Sequence, residues 1–184
     1  MYRILTIKDE VRVIPSKFNL PIEQGVKESL QEQIEGKMNP ELGVFLAVLD
    51  VINVGEGEIV PEDGAIHYPA EFKSMVFKPE LNEVVIGQVV DITEFGAFTR
   101  IGPLDALVHV SQIMDDRVSY DAKNATFVGK KTGKKLKESD LVLSRVVAVS
   151  LGKGRTKISL TMRQPCMGAL EWIEKDKKKA KGGK

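Results

Sequence analysis

The stretch GQVVDITEFGAFTRIGPLDALVHVSQI (87–113) decides how the second half of this chain folds. It holds two of five short runs rich in β-branched residues, GAFTRI (96–101) and DALVHV (105–110), and most of a third, VVIGQVVDIT (84–93). Further along the chain, LVLSRVVAVS (141–150) and TKISLTM (156–162) complete the set. The turns between them carry Gly or Pro, apart from the third connection, and five such strands suit an OB-fold barrel better than a sandwich. That connection, 111–140, is too long for a plain loop and is expected to contain local helix around Gln112–Asp116. It carries six Lys and one Arg, so its surface is wet.

Strand alternation puts Phe98 and Arg100 on one face of 96–101, with Ala97, Thr99 and Ile101 on the other. On the last strand Ile158, Leu160 and Met162 point inward, which leaves Lys157, Ser159, Thr161 and Arg163 outward. Phe95 precedes Gly96, where a missing side chain permits close approach of backbone or ligand. His109 offers a flat ring, and Arg145 a further cation. A Phe in a β-rich domain is usually core, and a lone His is usually a hydrogen-bonded structural residue. An aromatic beside an arginine on a barrel face is nevertheless what unpaired nucleic acid needs: bases stack on rings, and cations take phosphates.

Four motifs in order, Gly87-x-Val89, Phe95-Gly-Ala-Phe98, Leu107-Val-His-Val-Ser111 and Ile158-Ser-Leu-Thr-Met-Arg163, closely resemble the S1 domain of RNA-binding proteins over about 82–163. The resemblance implies that Phe95, Phe98 and His109 contact single-stranded RNA, with Lys157 where a basic residue is common. Two departures stand out: Ser150 occupies a position where many members place an aspartate, and the connection 112–140 is unusually long.

The first half reads as an α+β unit. A strand over Tyr2–Ile7 continues toward Val11–Ile14, and Pro21 opens a helix with apolar residues at Ile22, Val26, Leu30 and Ile34, stopped by Gly36. GVFLAVLDVINV (43–54) reads as a central strand covered on both faces. GEGEIVPEDG (55–64) is a hairpin-like loop, and 65–79 returns as a strand interrupted at Pro69. One helix against a small, mainly antiparallel sheet, a truncated RNP-like arrangement, is expected over residues 1–80. The OB-fold follows over 81–165, and a short helix from Gly168 to Lys175 with a disordered Lys-rich tail fills 166–184.

The whole chain is similar to the E-prime family of archaeal RNA polymerase subunits, counterpart of the seventh subunit of eukaryotic RNA polymerase II. The supporting residues are the MYRIL start, Gly43-Val-Phe through Gly55-Glu-Gly57, GPLDALVHVSQIMDD (102–116) and TMRQPCMGALEWIE (161–174). The resemblance implies a non-catalytic stalk subunit near the RNA exit, forming a heterodimer with a small F-type polymerase partner. It also implies docking on core RNA polymerase through a tip loop corresponding to Gly55, Glu56, Gly57 and Gly64. The alternatives are a free-standing S1 factor of translation or RNA decay, and a nuclease that uses the barrel to hold substrate.

Charge and composition fit these readings. Residues 1–80 carry 8 Lys/Arg against 14 Asp/Glu, and residues 81–184 carry 19 against 12. The basic half is therefore the candidate for a polyanion, and the acidic half for protein contacts. Cys166 is the only cysteine, so no internal disulfide forms and a thiolate metal site is excluded. No apolar run is long enough to cross a membrane, and the N-terminus lacks a signal-peptide layout, so a cytoplasmic location is expected. There is no phosphate-binding loop of the G-x-x-x-x-G-K-[ST] type, and the two histidines, His67 and His109, lie in different halves. Asp115-Asp116 and Glu62-Asp63 could hold Mg²⁺, but adjacent loop carboxylates are mostly solvated. Catalytic residues, metal and cofactors are all expected to be none.

Overall fold

A computed structural model describes residues 1–61, 63–152 and 156–181. Met1–Lys78 form the body of one compact unit; Pro79–Ser150, with the C-terminal segment, form a second.

In the first unit the elements are β1 (Tyr2–Val13), α1 (Ile22–Ile34), β2 (Met38–Asn39), β3 (Gly43–Val54), β4 (Glu58–Ile59) and β5 (Ile66–Phe77). The sheet is antiparallel in the order β1-β5-β3-β2, with β4 on β5. The helix buries Val26 and Leu30 against Val11, Val13, Val48, Ala70 and Phe72. Each of the larger of these side chains contributes about 1.5–3 kcal/mol by leaving water. Ile22, expected on this stripe, is 58% exposed, so the stripe begins one turn later. Glu23 in the first turn suits the helix dipole, and Gly36, with φ of 76°, turns the chain out of the helix.

Two expectations for this unit change. The central strand is β5, held between β1 and β3 along most of its length, whereas β3 beyond Val48 is covered on one face only: Val51 and Val54 pack against the core while Leu49 and Ile52 are exposed. Pro69 does not interrupt β5. Its carbonyl accepts the Gly55 N–H at 2.8 Å, so its ring nitrogen faces the side where β3 has just ended and no ladder partner is lost.

In the second unit come β6 (Val84–Thr93), β7 (Gly96–Ile101), β8 (Leu104–His109), β9 (Val118–Asp121), β10 (Thr126–Gly129), β11 (Lys135–Leu136), β12 (Leu141–Ser150), β13 (Lys157–Thr161), β14 (Gly168–Ala169) and α2 (Leu170–Lys181). Strands run β13-β8-β7-β6-β12, and β12 pairs back onto β13 to close a five-stranded OB-like barrel. Only the β13–β8 pairing is parallel. The two-residue turn Gly102-Pro103, with φ of 66° at the glycine, sets the β7–β8 register. The lumen is filled by Val85, Val89, Ile92, Ala97, Ile101, Val108, Val142, Val146, Ile158 and Leu160, each at most 3% exposed.

The connection 111–140 forms not a helix but a small antiparallel sheet, β11-β10-β9, preceded by a single 3₁₀ turn at Val110–Gln112. Its strands are two to four residues long and close over the fully buried Phe127 and Leu136. The C-terminal helix is longer than expected. It follows β14, which pairs with β12, and runs through the lysines to Lys181; residues 182–184 lie outside the described residues.

Candidate nucleic-acid interface

The barrel register arranges the outward side chains of four strands in three rows. One is Gln88 (β6), Arg100 (β7), Asp105 (β8); continuing the β8–β13 register places Lys157 level with Asp105. The next is Asp91, Phe98, Leu107 and Ser159. The third is Thr93, Gly96 and His109, extending through Thr161 to Arg145 on β12. Alternation holds along β7: Ala97, Thr99 and Ile101 are buried, Phe98 is half-buried and Arg100 exposed.

The two aromatics meet. Phe95, 47% exposed, sets its ring edge-on to Phe98 with centroids 6.0 Å apart. The Phe95 carbonyl accepts the Val110 N–H at 2.9 Å, which ties the β6–β7 turn to the end of β8 beside His109. Gly96 makes this approach possible: a Cβ there would strike the Val108 carbonyl and lie 3.1 Å from the His109 Cα. The exposed His109 ring receives the Ser111 N–H on Nδ1 at 3.3 Å, with the Ser111 hydroxyl at 2.8 Å. In the neutral ring Nε2 therefore carries the proton.

The cations behave differently from the sequence reading. Arg100 makes a two-pronged pair with Asp105, Nε–Oδ1 2.8 Å and Nη2–Oδ2 3.2 Å, which raises its pKa further. Arg163 is held by Asp115 at 2.7 and 2.9 Å. Arg145 is half-buried, and its Nε has no hydrogen-bond partner among the described residues. Lys157 is exposed at the start of β13. Thr161, read as outward, is buried: its hydroxyl donates to Gln112 Oε1 at 2.8 Å, so the 3₁₀ turn covers that part of the row. The structure thus groups Phe95, Phe98, Arg100 and His109 on β7–β8, with Lys157 in an adjoining row, and sets Arg145 and Arg163 to one side.

Sequence reasoning missed Asp91 and Asp105 on this face, and read Asp115 only as half of a carboxylate pair that could hold Mg²⁺. Asp105 was legible, because a two-residue turn after Ile101 places residue 105 opposite residue 100. Of the paired carboxylates, Asp115 holds Arg163, while Asp116 accepts the Lys131 N–H at 2.9 Å, the Thr132 N–H at 2.8 Å and the Thr132 hydroxyl at 2.9 Å. These donors, led by the Thr132 amide, hold the Asp116 carboxyl below the usual range.

In the first unit, Gly55 and Gly57 pass against β5, where a Cβ would come within 2.8 Å of the Pro69 ring and 2.6 Å of the Tyr68 ring respectively. Gly64 meets no such demand, and Glu56 is exposed. The loop's end is fastened by ion pairs: Asp63 takes Arg12 at 2.6 Å and His67 at 3.0 Å, and His67 Nδ1 lies 2.6 Å from Glu10. Asp63 is pushed well below the carboxylate range, chiefly by Arg12, and His67 is raised, chiefly by Asp63. The loop presents Ile59, 75% exposed, and Val60, neither singled out from sequence. Glu62 lies outside the described residues.

Comparison with known proteins covers both units. Residues 8–64 match the SHS2 domain found in the N terminus of Rpb7p/Rpc25p/MJ0397, and residues 78–163 match the S1 RNA binding domain. The chain is 39% identical over 180 residues to the DNA-directed RNA polymerase subunit Rpo7 of Saccharolobus shibatae, covering 97% of this chain and all of that one. The Rpo7 subunit of Sulfolobus acidocaldarius is 32% identical over 181 residues, covering 98% and 99%. The DNA-directed RNA polymerase II subunit RPB7 of Saccharomyces cerevisiae is 31% identical over 124 residues, covering 66% and 72%.

Proposed function

The chain belongs to the Rpo7 family of DNA-directed RNA polymerase subunits, and from that premise we propose that it is a non-catalytic stalk subunit whose barrel face holds emerging single-stranded RNA. The observation that carries this reading is the end-to-end match. A free-standing S1 factor would share the barrel alone, whereas here the identity covers 97% of the chain and both family domains. In this reading the subunit works in the cytoplasm, paired with a small F-type partner. It docks on core polymerase through the loop Gly55–Gly64, whose exposed Ile59 and Val60 supply an apolar tip. The first unit's acidic balance suits protein contacts rather than phosphate.

RNA bases stack on Phe95 and Phe98, His109 adds a third flat ring, and among the described residues Lys157 and, to one side, Arg145 are the cations not paired with an acid. Each stacked base contributes about 1–3 kcal/mol and is read without sequence preference. The test is binding of a labelled oligouridylate to the full chain, wild type against Phe95→Ala/Phe98→Ala. Losing two stacking platforms weakens binding by at least about tenfold. A folded double variant that binds like wild type would remove RNA from this face.

A further inference from the structure

The barrel face is close to charge-balanced: Arg100, Arg145, Lys157 and Arg163 stand against Asp91, Asp105 and Asp115. The basic surplus of the second half lies elsewhere. Residues 117–140 carry seven Lys/Arg against three Asp/Glu, and α2 carries five Lys against three acids. These two segments are distant in sequence, yet the fold brings them to one place. Trp172 donates its indole N–H to the Lys135 carbonyl at 3.1 Å, and the Lys134 ammonium reaches Asp176 at 2.8 Å while lying 5.7 Å from the Trp172 ring centroid.

Between them runs a groove of about 380 Å³, lined by Thr132, Gly133 and the lysines 134, 135, 137 and 175. Three acids share the groove with these four lysines: Asp176 pairs with Lys134, Asp140 accepts the Lys137 N–H at 2.9 Å, and Glu171 lies 3.8 Å from Lys175 in a loose contact open to water, which a phosphate can displace. The lysine-bearing turn is pinned from below by Asp116 through the amides of Lys131 and Thr132. A second groove, of about 580 Å³, shares Lys134, Trp172 and Asp176 with the first and extends to Arg163, just past the end of β13. The two grooves adjoin across the Lys134–Asp176 pair, one reaching Arg163 and the other the lysines around β11.

We propose that single-stranded RNA leaving the Phe95/Phe98 face continues past Arg163 into the groove between β11 and α2, where Lys135, Lys137 and Lys175 take its phosphates. The inference rests on the RNA-binding reading of the barrel. The occupant it fits is a flexible chain with regularly spaced single charges, because the path starts at a stacking surface and ends among point cations that have no aromatic exposed beside them. The division of labour follows: rings supply affinity on the barrel, and ammonium groups supply the counterion-release part on the flank.

The test uses the full chain and a labelled oligouridylate over a series of salt concentrations, comparing wild type, Lys135→Gln/Lys137→Gln/Lys175→Gln and Phe95→Ala/Phe98→Ala. The three lysines are exposed, so the neutral variant is expected to fold, and Lys135→Arg/Lys137→Arg/Lys175→Arg serves as the charge-keeping control. Losing three phosphate contacts flattens the slope of log K against log salt by about 2, a change of about fifteenfold across a fourfold salt range. The arginine variant keeps the wild-type slope, and the phenylalanine variant binds weakly with its slope intact. A lysine variant indistinguishable from wild type, beside a weak phenylalanine variant, overturns the flank inference and leaves the barrel reading standing; the groove would then suit an acidic protein segment instead. A weak lysine variant beside an unaffected phenylalanine variant overturns the continuous path and the barrel reading together. Wild type that fails to bind at all removes the RNA reading itself.

Discussion

The barrel face of β7–β8 and the flank formed by β11 and α2 belong to the same unit yet are built from opposite materials. The face sets two phenylalanine rings edge to face and ties Arg100 and Arg163 to acids. The flank presents no comparable exposed ring and holds most of the unit's surplus lysines. Stacking and charge neutralisation, the two terms of single-strand binding, are thus separated in space. The separation follows from backbone demands. A β-ladder with a two-residue turn holds aromatic and paired side chains at fixed spacing, whereas a glycine-rich turn and a helix end display ammonium groups on long stems.

The largest expected effect is on the face alone. Gly96→Ala places a methyl group against the Val108 carbonyl and 3.1 Å from the His109 Cα, both backbone positions that have little room to move. Overpacking of this kind typically destabilises by about 1–3 kcal/mol. Thermal melting of the variant should show that loss, and oligouridylate binding should weaken with its salt slope preserved. A variant as stable as wild type, with unaltered binding, would show that the Phe95–His109 approach does not depend on the missing side chain.

Next in size is a response confined to the flank. Asp116 is held below the usual carboxylate range by the amides of Thr132 and Lys131, the Thr132 hydroxyl and the Arg117 amide. A depressed carboxyl contributes stability that is present above its unfolded value and is lost as pH falls through the folded one. Acidification below the ordinary carboxylate range should therefore free the Lys131 and Thr132 amides to exchange while the barrel amides stay protected. Asp116→Ala should produce the same pattern at neutral pH. Hydrogen exchange measured residue by residue distinguishes this from a response shared by the barrel, which would mean that the two regions do not open separately.

The same contrast explains which parts were legible in the sequence. β6, β7 and β12 coincide with the runs read from β-branched residues between turns, because a barrel strand buried on one side writes its alternation into the sequence. Phe98 and Arg100 followed from that alternation. The sheet β9–β11 escaped notice because its strands span two to four residues and its buried anchors, Phe127 and Leu136, lie nine positions apart with no period between them. The apolar run 43–54 misled for a different reason. Hydrophobicity reports what a strand can bury, and beyond Val48 only the Val51/Val54 face of β3 is covered, which leaves Leu49 and Ile52 exposed. Thr161 was read as outward from alternation alone; the Gln112 side chain that covers it comes from 49 residues away, a contact no local pattern records.

The smallest expected effect sharpens the comparison by moving the face toward the character of the flank. Asp105 neutralises Arg100 in a two-pronged pair on a surface open to water, where such pairs add little to stability. Asp105→Asn should therefore leave the fold intact and release the guanidinium, which points from the same strand as Phe98 and lies one row away from it. One additional phosphate contact steepens the salt slope by about 0.7, which is about threefold in affinity across a fourfold salt range. Oligouridylate titrations of the variant at several salt concentrations measure this directly. An unchanged slope would mean that Arg100 serves the barrel as a cross-strand tie and that charge neutralisation belongs wholly to the lysines of the flank.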